Sequence, residues 1–91
     1  MAHSSITHLT QSLTCASTKV KIGGLYHHYK SPSSHYKVLH IGLKESSEQP
    51  CVIYQSQSHP ELIWVRDIDK WCDQIICENK IVPRFSLVEE K

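Results

Sequence analysis

No run of apolar residues in this chain approaches the roughly 20 that a membrane-crossing helix needs, which excludes a helical membrane span. No excess of one charge sign is present either. Ten Lys and Arg stand against nine Asp and Glu, a formal net charge of +1, so binding of polyanions by bulk electrostatics is excluded and only a local basic patch is left open. Paired-cysteine knuckles are missing: Cys72 and Cys77 are separated by four residues, looser than the paired-cysteine knuckle of structural zinc sites. The first nineteen residues lack both a positive n-region and an unbroken apolar stretch. No secretory signal is read there, and Cys15, Cys51, Cys72 and Cys77 are expected to be reduced thiols of a cytoplasmic protein. Phenylalanine occurs once, so the interior has to be built from Tyr and Trp as well as aliphatic side chains.

What the chain does hold is enough for one domain. At 91 residues its surface is large relative to its core. Seven histidines would carry the charge from +1 to +8 if all were protonated, which ties solubility and partner choice to pH between roughly 5 and 7. Residues 1–19, with eight Ser or Thr and the single charge of Lys19, read as a flexible leader. The competing reading is a weakly docked helix, capped by Ser4 or Ser5, with Ile6, Leu9 and Leu13 at i, i+3 and i+7. The folded domain is expected over 20–88, with 89–91 a charged tail.

Within the domain, Leu25 to Lys30 reads as the first strand, Ser31 to Ser34 as a loop, and His35 to Leu43 as the returning strand, apolar in part on both faces as in a curving barrel strand. Cys51 to Gln55 follows as the third. Leu62 to Trp71 carries both tryptophans: alternation puts Leu62, Trp64 and Arg66 on one face and Ile63 and Val65 on the other. Asp67 then caps a helical turn whose Ile68, Trp71 and Cys72 point at the core. Gln74 to Cys77 and Ile81 to Phe85 flank Glu78-Asn79-Lys80, a tight hairpin with Asn79 able to take positive φ; Pro83 places the last strand at an edge. The expected fold is all-β, a small SH3-like barrel of five to six strands with one short helical turn.

The blocks Gly24-Leu25-Tyr26-His27-His28-Tyr29-Lys30, Tyr36-Lys37-Val38-Leu39, Val52-Ile53-Tyr54-Gln55, Trp64-Val65-Arg66 and Pro83-Arg84-Phe85, in that order, resemble the small bacterial domain of unknown function DUF1653 across roughly residues 23–87. The opening pattern Gly-x-Tyr-x-His-Tyr/Phe-Lys is met by Gly24, Tyr26, His28, Tyr29 and Lys30. Departures fall at Lys44 to Ser47, where the family usually has a His-Ser-Glu-Thr-like segment, at Asp67, where it tends to proline, and at Lys70-Trp71, where it tends to Met-Phe. The resemblance implies fold and extent, and no substrate, reaction or cofactor.

Three kinds of site are open. Tyr26, His28, Tyr36, Tyr54, Trp64 and Arg66 could form an aromatic groove for a peptide or other small partner through stacking and cation–π contacts; Tyr26, His28, Tyr54, Trp64 and Arg66 are the residues on which that reading rests. Arg66 could instead pair with Asp69. A second reading uses Lys19, Lys21, Lys30, Lys37, Lys44 and Arg66 for RNA or another single-stranded nucleic acid. A metal or thiol enzyme is the third, weakened because His27 and His28 point to opposite faces of a strand and no thiol is brought to a base. The expectation is therefore a non-catalytic binding or accessory module, monomeric, with no cofactor, no metal and no membrane partner.

Overall fold

The computed structural model describes residues 5–89. Ser4 as an alternative helix cap and residues 90–91 of the charged tail lie outside them. Helix α1 (Ile6–Lys19) precedes strands β1 (Leu25–His28), β2 (Ser31–Leu43), β3 (Pro50–Ser56) and β4 (Ile63–Asp67), the short helix α2 (Ile68–Trp71), the hairpin β5 (Gln74–Cys77) and β6 (Lys80–Pro83), and β7 (Phe85–Glu89). Antiparallel pairing orders the main sheet β4-β3-β2-β1-β7, and β5 pairs only with β6.

The all-β expectation holds, and its barrel does not. Closure would require β4 to meet β7. The chain leaving β4 turns into α2 and then spends its next two strands on a separate hairpin, so both edges stay open among the described residues. Further corrections concern local structure. The single last strand expected over Ile81 to Phe85 is two, β6 pairing with β5 and β7 with β1, and Cys72, expected to point at the core with Ile68 and Trp71, is exposed. The Ser31 to Ser34 stretch is the start of a 13-residue strand. Asp67 makes no side-chain cap of α2; its carboxylate instead faces the Cys51 thiol at 3.6 Å and Lys44 Nζ at 3.7 Å. The flexible leader is replaced over residues 6–19 by α1, with Ser5 accepting from the His8 N–H at 3.1 Å.

One face of the sheet is the core face. Tyr26, Val38, Val52, Tyr54 and Phe85 project from it, and Ala16 and Val20 from the α1 end and Ile68 and Trp71 from α2 close over part of it. In β2 the inward set changes parity. Tyr36 and Val38 pair with Ser56 and Tyr54, the register shifts between Val38 and His40, and Ile41 then pairs with Val52. That bulge is why both faces of β2 look half apolar in sequence. Gly23, at φ +87°, turns the chain into β1 and donates its N–H to the Val38 carbonyl at 2.8 Å. The Glu78-Asn79 turn has positive φ at both residues, 52° and 64°, as a two-residue hairpin of right-handed strands requires.

Candidate functional site

The core face is covered unevenly. Trp71 stacks flat on Phe85 (ring centroids 3.8 Å, interplanar angle 2°) and meets Tyr26 and Tyr54 edge-on at 5.3 and 4.9 Å. Beyond that cluster no described residue lies over the β2–β3–β4 end, which leaves an open cleft of about 450 Å³.

Strand parity delivers the walls. Tyr36 on β2, Tyr54 and Ser56 on β3, and Trp64 and Arg66 on β4 share one face, because Tyr36 pairs with Ser56, Tyr54 with Trp64 and Val52 with Arg66. Tyr36 and Tyr54 meet edge to face at 5.7 Å, and both reach Phe85, at 6.1 and 5.8 Å. The rim is the loop after β3. It is pinned by the Ser56 N–H donating to the Leu62 carbonyl (3.2 Å), the Leu62 N–H to the His59 carbonyl (2.9 Å) and Gln55 Nε2 to the Pro60 carbonyl (2.8 Å). Buried Ser56 accepts from the His59 N–H at 3.1 Å, so Ser58, His59 and Leu62 are held at the cleft mouth.

Arg66 is the charge in this cleft. Its guanidinium carbon lies 5.4 Å from the Phe85 ring centroid. Among the described residues it has no ion-pair or hydrogen-bond partner, and the Arg66–Asp69 pair left open by the sequence is not formed. Arg84 behaves differently, its guanidinium facing Asp73 at 3.5 Å.

His28 closes the β1 side, 5.1 Å from Phe85. Its Nδ1 accepts from the Lys30 N–H at 3.1 Å, which places the ring proton of the neutral form on Nε2. Burial first, then the positive charges of Arg84, Arg66, Lys30 and His27, hold its pKa below the ordinary imidazole range. A histidine held neutral costs the fold nothing above the unfolded-state value. As the pH falls through about 6.5, the unfolded chain binds the proton first and stability is lost. His28→Gln should therefore show a smaller drop in urea midpoint between about pH 7.5 and 5.5 than the parent; equal drops would show that His28 carries none of it.

Four of the five residues put forward from sequence, His28, Tyr54, Trp64 and Arg66, line one cleft together with Tyr36. Tyr26 does not. It is buried against Trp71, and its hydroxyl accepts from the Lys21 N–H at 2.9 Å. Ser34, Ser56, Ser58, His59, Leu62 and Phe85 complete the lining. Of these, Leu62 was legible as the alternation partner of Trp64, and Ser34 was hidden in a stretch that reads as loop. The thiols stand elsewhere. Cys51 is on the opposite face, where burial and then the neighbouring Asp67, through a hydrogen bond and its charge, push its pKa up, the reverse of what a nucleophile needs. All four cysteines are free, and among the described residues no cluster of three or more His, Cys, Asp or Glu is placed to hold a metal ion.

The family model of DUF1653, described as a protein of unknown function, matches residues 24–87. No curated protein matches the chain. Among solved structures, the crystal structure of a protein belonging to DUF1653 from Bordetella bronchiseptica is similar with a TM-score of 0.60 and 24% identity, covering 72% of this chain and 85% of that one.

Proposed function

The chain belongs to the DUF1653 family, whose function is unknown, and from that premise we propose that it is a non-catalytic binding module whose cleft takes a peptide segment bearing an acidic and an aromatic or apolar side chain. The observation that carries this is Arg66: a guanidinium set among rings with no acidic partner among the described residues. A carboxylate is the group that completes such a fork. Trp64, 48% exposed, and the part-exposed Tyr36 offer ring faces to the rest of the ligand.

A catalytic reading finds less support. Ser58 Oγ and His59 Nδ1 are 3.1 Å apart, but both are exposed and neighbours in sequence, and among the described residues no carboxylate orients the imidazole. We read the module as a cytoplasmic monomer of bacterial type.

The test is an amide-shift titration with acetyl-Glu-Tyr-amide and, separately, a uridine hexanucleotide, each at about 50 and about 300 mM salt. The dipeptide should shift His28, Tyr54, Trp64 and Arg66 with little response to salt. Shifts from the hexanucleotide alone, collapsing at the higher salt, would overturn the peptide reading in favour of single-stranded nucleic acid. Arg66→Met is expected to weaken dipeptide binding about tenfold or more while the unfolding midpoint stays close to the parent's. An unchanged affinity would remove Arg66 from the site.

A further inference from the structure

The cleft lies directly beside an open sheet edge. Strand β4 ends the order β4-β3-β2-β1-β7, and its only charges, Arg66 and Asp67, stand at its C-terminal end, leaving the stretch before them unguarded. Leu62, Ile63, Trp64 and Val65 are consecutive, apolar and exposed, Val65 by 66%, with no proline or lysine among them. The hydrogen-bond parity is set by the Leu62 carbonyl accepting from Ser56 and by the pairs Tyr54 with Trp64 and Val52 with Arg66. In an antiparallel ladder the even residues therefore turn their backbone groups toward β3, while Ile63 and Val65 turn theirs to the open edge.

We infer that β4 is completed by an antiparallel strand from an acidic partner peptide, so that the cleft is read by side chains of an added sixth strand. This deepens the peptide reading of the cleft and rests on it. The occupant is chosen by charge and by register. A residue of the incoming strand opposite Arg66 projects onto the same face as the guanidinium, with Cβ atoms about 5 Å apart, and the unpaired cation asks for Glu or Asp there. Two residues later on the same face, the residue opposite Trp64 meets an exposed indole and suits an aromatic ring. The residues between and after, opposite Val65 and Ile63, fall on the other face against exposed branched side chains and suit Val or Ile. A second copy of this chain meets the edge less well, because pairing β4 with itself brings no acid to Arg66 in the register that matches Trp64 with Trp64.

The probe that follows is acetyl-Thr-Glu-Val-Tyr-Ile-Thr-amide, with Glu opposite Arg66 and Tyr opposite Trp64, and its control is the same peptide methylated on the valine nitrogen. That methyl removes a donor aimed at the β4 edge and changes no side chain. The parent peptide should shift the amides of Ile63 and Val65 as well as those around the cleft, slow their exchange, and bind about tenfold or more tighter than the methylated form. If the methylated peptide binds as well, with the same cleft shifts, strand addition is wrong and the cleft reading survives. Protection of Ile63 and Val65 without any change at Tyr54 or Arg66 would refute the cleft reading instead. No shift at either place from millimolar parent peptide overturns both. Concentration-dependent protection of the β4 amides in the free protein would overturn the inference by giving the edge to a second copy.

Discussion

Replacing Trp71 with alanine is expected to cost about 3 to 5 kcal/mol, the range for a large aromatic side chain removed from a core that cannot collapse around the gap. Collapse is hindered because the indole is 3% exposed and sits among three other rings: flat against Phe85, edge-on to Tyr26 and Tyr54. A chain of this length is stable by about 5 to 14 kcal/mol in total, so the variant should unfold at a much lower urea concentration or be unfolded outright. Trp64→Ala is the matched comparison. Its ring is half exposed on the cleft wall, and the substitution should change stability by no more than about 1 kcal/mol while removing a face on which a ligand rests. Trp71→Phe, which keeps a stacked ring on Phe85, should recover much of the loss. Equal urea midpoints for the two alanine variants would refute the division of labour between the tryptophans.

That division could be only half read from residue order. Alternation grouped Leu62, Trp64 and Arg66 on one face, as found; of the helical stripe expected to point at the core, Ile68 and Trp71 do so and Cys72 is exposed. Which face of β4 is covered depends on what lies above it, and that is decided by α2 and Phe85, distant or folded back in sequence. For the same reason Tyr26 reads as a groove residue equal to Tyr54. Both are buried inward aromatic residues of antiparallel strands and both pack edge-on against Trp71, but only Tyr54 also lines the opening. Barrel closure was illegible because it turns on whether two edges meet, a property of accumulated twist and of where the β5–β6 hairpin goes. The local features, by contrast, were legible because their causes are local: the short α2, and the hairpin expected at Glu78-Asn79-Lys80, whose turn is Glu78-Asn79 with Lys80 already in β6.

The other large effect is expected at Ala16→Asp, in the segment that composition alone marks as leader. Serine and threonine are poor helix formers because their hydroxyls compete for backbone groups. In α1 that competition is resolved within the helix: Thr10 and Thr14 hydroxyls donate to the carbonyls of Ile6 and Thr10, at 2.7 and 3.0 Å, and those of Ser17 and Thr18 to Thr14 and Cys15, at 2.8 and 2.6 Å. The helix is then held by one narrow face, Leu9 and Leu13 half-buried, Ala16 at 3% exposure, and Val20 just past its end at 1%. A carboxylate at position 16 cannot stay charged in that contact without a partner, and the penalty for burying it exceeds what undocking α1 would cost. The helix should therefore leave the sheet before the whole domain unfolds, which caps the loss at the docking energy and exposes Val20, Val38 and Val52 beneath. Hydrogen exchange should show α1 amides losing protection in Ala16→Asp while β2 and β3 amides keep most of theirs, and Ser17→Asp, one residue along on the exposed side, should leave both unchanged. Unaltered α1 protection in Ala16→Asp would return residues 6–19 to the status of a leader that the domain does without.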